Sequence, residues 1–240
     1  MVEAGSDPLA PWLQDRLGAS LRHRSPVPGG SIHTAWRLEL SDGRTVFAKT
    51  AAPGAMPLLE AERDGLVALA MAADGSGLVL PRPIALGRCA EQAVLLLDWL
   101  ELSRAATPEV WRRLGQGLAR LHRASLHLSC GDGDRLTGDF GWARDNVIGA
   151  TPQRNGWLEN WGTFFRSRRL EPQLELLQRR GVRLRGAQAL LERVEGWLAS
   201  HRPEAALVHG DLWSGNAGIR ADGGGALFDP SIHRADREVD

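Results

Sequence analysis

Lysine is almost missing from this chain: of its 29 basic residues one, Lys49, is lysine and the rest are arginine. A compact ammonium that survives where every other cation is a planar fork draws notice, because the two are not interchangeable at phosphate. Cysteine is scarce as well. Cys89 and Cys130 make neither a disulfide framework nor a metal cluster, and a reducing cytoplasm is the expected compartment. The seven histidines include no close Cys/His spacing, which argues against a zinc site. Net charge is absent, with 29 basic against 29 acidic residues, so neither nucleic acid nor an anionic membrane is expected as a partner. No apolar run approaches the ~20 residues of a membrane span. The first residues lack the basic-then-apolar pattern of a secretory signal. What remains is a 240-residue chain, 43% hydrophobic and 24% charged, large enough for one substantial domain or two lobes.

The most informative stretch runs from Leu207 to Asn216 as LVHGDLWSGN, followed by ALFDP from Ala226 to Pro230. Two apolar runs of strand character each deliver a carboxylate to a loop. Asp211 and Asn216 stand five positions apart and Asp229 follows thirteen later. The first spacing is that of the kinase loop H-R-D-x-x-x-x-N, in which the Asp meets the acceptor hydroxyl and the Asn holds a metal ion. Asp229 stands where the D-F-G carboxylate would bind the bridging metal, with Pro230 after it. A plain hairpin built from turn-forming residues is the competing reading.

Upstream, Leu9, Trp12, Leu13 and Leu17 predict a helix over residues 8–24. A breaker cluster follows, and Gly29, Gly30 and Ser31 could close backbone N–H groups over phosphates. Residues 34–40 and 45–49 predict a hairpin around Ser41–Arg44, and Lys49 closes its second strand at the V-A-I-K position of kinases. The helix predicted over 56–73 carries Glu60 and Glu62, either of which could pair with Lys49 or simply face solvent. Residues 93–100 read as a buried strand, making Asp98, Trp99 and Leu100 a candidate hinge that offers backbone groups to adenine. Thr107-Pro108 starts a helix on whose packed face His122 falls as a structural residue. Trp161, Phe164 and Phe165 read as core, while Trp142 and Trp157 could form an aromatic wall for a sugar-like ligand. Helices are expected near 173–180 and 187–201.

With Gly29-Gly30-Ser31, Val46 to Thr50, Glu60-Ala61-Glu62, Gly141-Trp142, Asp145-Asn146, Ile148-Gly149, Trp157 to Arg169, His209 to Asn216, Phe228-Asp229-Pro230 and Asp236 to Asp240, the chain resembles the fructosamine kinase (ketosamine 3-kinase) family. That family belongs to the aminoglycoside-phosphotransferase branch of protein-kinase-like folds. The resemblance implies an α+β, two-lobed architecture: a small antiparallel-sheet N-lobe with one helix, residues 1–98, and a larger, mostly helical C-lobe, residues 99–240. It implies ATP and Mg²⁺ as cofactors and phosphorylation of the sugar 3-hydroxyl of ketosamines, as small-molecule adducts or on glycated lysine side chains. Asp211 would be base or orienter, Asn216 and Asp229 the Mg²⁺ ligands, and Lys49 braced by Glu62 the phosphate holder. Trp213, Trp142, Asp145 and Trp157 would meet the substrate. The chain is expected to be a monomer, and to lack the C-terminal helices with which family members continue. Some members carry a cysteine in the glycine-rich loop that links two chains under oxidation. This loop has none, so no such redox switch is expected. The competing readings are a phosphotransferase for another small hydroxylated amine, of aminoglycoside, choline or homoserine type, and a catalytically silent nucleotide-binding protein of the same fold.

Overall fold

The computed structural model describes residues 7–28, 33–103, 107–128 and 140–240. Helix α1, Leu9–Leu17, buries Leu9 and Leu13 and stops at Gly18, whose left-handed conformation (φ 66°) returns its N–H to the Gln14 carbonyl. The helix predicted to residue 24 is therefore cut short, and strand β1, Leu21–Val27, takes its place. The sequence of β1 hides its nature, because a polar edge strand containing proline lacks the alternation that marks a half-buried strand.

Strands β2 (Thr34–Leu40) and β3 (Thr45–Ala51) form the predicted hairpin. Helix α2, Met56–Ala73, buries Leu59 and Leu66 against Ala93, Leu95 and Leu97 of the sheet. A short strand β4 (Leu78–Val79) precedes β5 (Pro83–Cys89) and β6 (Gln92–Asp98), with β7 (Leu102–Ser103) after them. The resulting five-stranded antiparallel sheet has the order β1-β2-β3-β6-β5. Residues 93–97 of β6 are buried, which explains why its sequence reads as a continuous apolar run.

Helix α3, Pro108–Ser125, comes next; Pro108 opens its first turn, and Leu114, Leu121 and His122 are buried. Strands β8 (Asn146–Ile148) and β9 (Thr151–Gln153) form a small hairpin. Helix α4 (Trp161–Phe164) runs through a π-helical turn, Phe165–Leu170, into α5 (Glu171–Arg179), and α6 spans Ala187–Leu198. Trp161 and Phe164 form core with Phe140, Val208 and Ala235, and Phe165 packs against it. Strands β10 (Ala206–Val208), β11 (Ala217–Arg220), β12 (Gly225–Leu227) and β13 (His233–Ala235) lead to a closing 3₁₀ turn, Arg237–Val239.

The two apolar runs that precede Asp211 and Asp229 belong to different sheets. Strand β10 pairs with β13, whereas β12 pairs antiparallel with β11 and parallel with β4. One apolar cluster joins the lobes, uniting Leu69 and Leu78 with Leu121, Leu207, Leu227 and Ile232. No described helix is long and apolar enough to cross a membrane.

Candidate active site

A cleft of about 450 Å³ lies between the five-stranded sheet and the loops after β10 and β12. Val27, Ala35 and Lys49 stand side by side across β1, β2 and β3, and all three line it. Asp98, Trp99 and Leu100 form part of its wall, and Asp211, Asn216 and Asp229 line the opposite side. The predicted phosphate-loop residues Gly29, Gly30 and Ser31 lie outside the described residues.

The Lys49 ammonium is held between two carboxylates, 2.7 Å from Glu62 Oε1 and 2.7 Å from Asp229 Oδ1. Glu60 instead faces Arg144, 3.7 Å away, which also reaches Asp64 at 3.3 Å. Burial alone would pull the lysine pKa down, but the charges of Glu62 and Asp229 outweigh it and hold the group above its ordinary value. Burial pushes the Glu62 carboxyl up, and Lys49 opposes that shift. The pair forms because each ion is sealed from water and would be costly alone. Asp229 is half exposed, and it lines the cleft together with the lysine.

Asp211 follows β10 through His209-Gly210, and the local chemistry of that turn fixes it. Gly210 adopts φ 80°, and a Cβ there would lie 2.1 Å from the Ser231 carbonyl oxygen, so only glycine lets the two loops approach. His209 is fully buried; its Nε2 lies 3.0 Å from the Phe228 carbonyl, and its Nδ1 accepts from the Asp211 N–H at 3.4 Å. Burial keeps that imidazole neutral, below its usual pKa, so the proton sits on Nε2 and bonds Phe228. A buried carboxylate, Asp240, accepts the backbone N–H groups of His209 (2.7 Å) and Gly210 (2.9 Å) and also faces His122 Nε2 at 2.9 Å. Burial would raise its pKa, but these donors win and hold it below the ordinary carboxylate range.

Asn216 links the Asp211 carboxylate to the backbone of the Asp229 loop. Its amide nitrogen donates to Asp211 Oδ2 (3.0 Å) and the Asp211 carbonyl (2.8 Å), with the Asp229 carbonyl at 3.5 Å. Because that nitrogen is engaged, the amide's remaining polar atom is an oxygen. With the Asp229 carboxylate it could supply hard oxygen donors of the kind Mg²⁺ prefers. Asp229 itself sits at φ 60°, an unusual state for a residue with a side chain, in a loop fastened by the Ser231 N–H to the His209 carbonyl at 2.8 Å. Burial pushes the Asp211 carboxyl up, against the hydrogen bond from Asn216 that pulls it down.

The residues predicted to meet substrate divide. Trp213, exposed, lines the cleft beside Asp211. Trp142 and Trp157 pack on each other at 6.4 Å between ring centroids and are not part of that wall, and Asp145 accepts the Asn155 N–H at 2.7 Å. Asn155 is fully buried, bonds Asn146 Oδ1 at 2.9 Å and accepts from Arg169 at 2.7 Å. Arg169, desolvated and close to Arg168, has its pKa pulled down to about 9. Gln153 completes this network by donating to Asn146 and Ser231, so the 145–155 segment braces the loop after Asp229. The sequence assigns no role to Asn155 or Gln153, and it marks Asp240 only as part of the 236–240 motif, without its partners.

The sequence profile described as fructosamine kinase matches residues 7–240. A probable ketoamine kinase of Synechocystis sp. is 36% identical over 239 residues, spanning 96% of this chain and 76% of the relative. Another from Escherichia coli K12 is 35% identical, spanning 95% of this chain and 74% of the relative. The structure described as a "putative fructosamine-3-kinase" from Haemophilus somnus superposes with a TM-score of 0.81 over 96% of this chain and 73% of that one. At 23% identity that likeness speaks for the fold. A two-lobed kinase-like fold, a match over almost the whole length and the cleft residues on their motifs lead to one assignment: the chain belongs to the fructosamine kinase family.

Proposed function

We propose that this chain is an ATP-dependent kinase that phosphorylates the sugar 3-hydroxyl of ketosamines, giving a 3-phosphate whose later decomposition would free the amine from its sugar. The observation that supports this most is the clustering in one cleft of the buried Lys49–Glu62 pair, Asp229 and Asp211, the last two tied through Asn216. We assign ATP to the side of the cleft walled by residues 98–100, with Lys49 on its α/β-phosphates, and the acceptor to the Asp211 side next to Trp213. The division into residues 1–98 and 99–240 is part of this reading. Asn216 and Asp229 would hold Mg²⁺, which would neutralise the charge on the phosphates.

In this reading the acceptor hydroxyl donates its hydrogen bond to Asp211. Its oxygen bonds to the γ-phosphorus as the bond from that phosphorus to the β,γ-bridging oxygen breaks, and Asp211 takes up the proton. Burial raises the proton affinity of Asp211, which suits an acceptor of that proton. Positioning and charge neutralisation supply the catalysis, and no covalent enzyme intermediate is needed. Trp213 offers an aromatic face to the sugar. Adducts on free amines and on glycated lysine side chains both belong to the proposed substrate class.

The test is a substrate panel read by ADP release, with fructose-lysine and ribulose-lysine beside an aminoglycoside, choline and homoserine. Turnover confined to the ketosamines, with ³¹P NMR placing the phosphate on O3, is the expected result. Preference for any of the other amines would replace the substrate assignment.

A further inference from the structure

His33 stands at the mouth of the cleft, directly before β2, and nothing derived above uses it. Side chains alternate faces along a strand, so His33 shares its face with Ala35, two residues on. Ala35 is the cross-strand partner of Lys49, which puts His33 diagonally in front of the Lys49 ammonium on the wall of the same cleft. Its Nε2 is sealed from solvent and has no hydrogen-bond partner among the described residues. A buried polar atom without a partner is rare in a folded protein and asks for an explanation. Lys49 and Asp229 are the charged groups that act on it, and burial together with the Lys49 charge holds the imidazole below its usual pKa. A neutral ring keeps one N–H to donate, and an anion seated over Lys49 would select the tautomer with that hydrogen on Nε2.

We propose that the His33 side chain is a phosphate-recognising group of the cleft, donating its Nε2–H to a β- or γ-phosphate oxygen of ATP next to Lys49. This rests on the ATP site proposed above and adds to it a side-chain contact separate from any backbone donors of residues 29–31. Two features favour phosphate over the acceptor sugar. The ring lies on the sheet side of the cleft with Lys49, and its Nε2 has no partner among the described residues, which in the Nε2–H tautomer a phosphate oxygen would supply.

The test is calorimetric binding of Mg-ATP to the 240-residue chain and to His33→Ala and His33→Gln, with adenosine in a parallel titration and thermal unfolding as a control. His33→Ala is expected to weaken Mg-ATP by about ten- to a hundredfold, the range for a hydrogen bond to a charged group. Adenosine binding and the unfolding midpoint should not move. His33→Gln, which can place an amide N–H near the same point, is expected to restore most of the affinity. Unchanged Mg-ATP affinity in His33→Ala would overturn the proposal, as would an equal loss for Mg-ATP and adenosine, which marks a structural role. If the unsubstituted chain binds no Mg-ATP, the site assignment fails and this proposal fails with it; normal binding that ignores His33 refutes this proposal alone.

Discussion

Gly210→Ala tests whether the approach of the Asp211 and Asp229 loops is what builds the site. The added Cβ would lie 2.1 Å from the Ser231 carbonyl oxygen and 3.1 Å from His233 Nδ1, whereas ordinary contact begins near 3.4 Å. Relief requires the two loops to part by about 1 Å, and the left-handed backbone adds its own penalty. The conformation costs alanine roughly 1–2 kcal/mol, and overpacking adds roughly 1–3 kcal/mol, for a loss of about 2–5 kcal/mol in stability. Asp211 and Asp229 sit on the two loops being pushed apart, and a misplacement of about 1 Å costs on the order of a hundredfold in rate. Urea unfolding and steady-state ADP release on the purified variant give both numbers. A variant that keeps its stability to within about 0.5 kcal/mol and its kcat to within about threefold would refute the reasoning, since overpacking of this kind should exceed both.

Other substitutions probe the remaining supports. Lys49→Met strands the buried Glu62 carboxylate and should cost about 3–5 kcal/mol at neutral pH, less whatever Glu62 recovers by taking up a proton; Lys49→Arg keeps the charge but should still lower kcat/KM for ATP by about tenfold or more, because a fork does not fit where an ammonium bridges two carboxylates. Equal activity of Lys49→Arg and the parent in the ATP titration would contradict this. Asp240→Ala removes the acceptor of two backbone N–H groups and of His122, and urea unfolding should register a loss of about 3 kcal/mol or more, with kcat falling as the Asp211 turn loosens. Acid should weaken the fold in a defined window. His233 is entirely buried and its pKa is pulled down to about 3, so the unfolded chain takes up a proton near pH 6.5 that the folded chain refuses. Stability is therefore full above pH 6.5 and lost as pH falls, by about 2 kcal/mol at pH 5 from this residue, with His209 adding in the same direction. Urea midpoints at pH 7 and pH 5 should show the fall, and His233→Asn should flatten it; an unflattened profile would assign the loss elsewhere.

What could be read from the sequence follows from how local each signal is. Strand β6, helix α3 and the β2–β3 hairpin announce themselves through runs, caps and turns that act over a few residues. Lys49 and Asp211 stand out because their neighbours supply spacing and chemistry together. Strand β1 does not, since LRHRSPV is a polar edge whose partner β2 supplies the pairing. Helix α1 is shorter than its apolar spacing suggests, because the left-handed Gly18 ends it. The role of Asp240 depends on contacts 30 and 118 positions away, invisible to any local pattern. Between 142 and 157, Trp142 and Trp157 pack together and Asp145 holds a backbone N–H, and residues of these types serve packing and ligand binding alike, so the sequence does not separate the two roles.

The central claim is that this cleft transfers phosphate from ATP to a ketosamine hydroxyl held by Asp211. Its most direct measurement is ADP release by the 240-residue chain with Mg-ATP and ribulose-lysine, beside Asp211→Asn, which preserves shape and removes the proton acceptor. The account predicts turnover that depends on the ketosamine and falls by about a hundredfold or more in the variant while Mg-ATP binding persists. Ketosamine turnover undiminished in Asp211→Asn would contradict it.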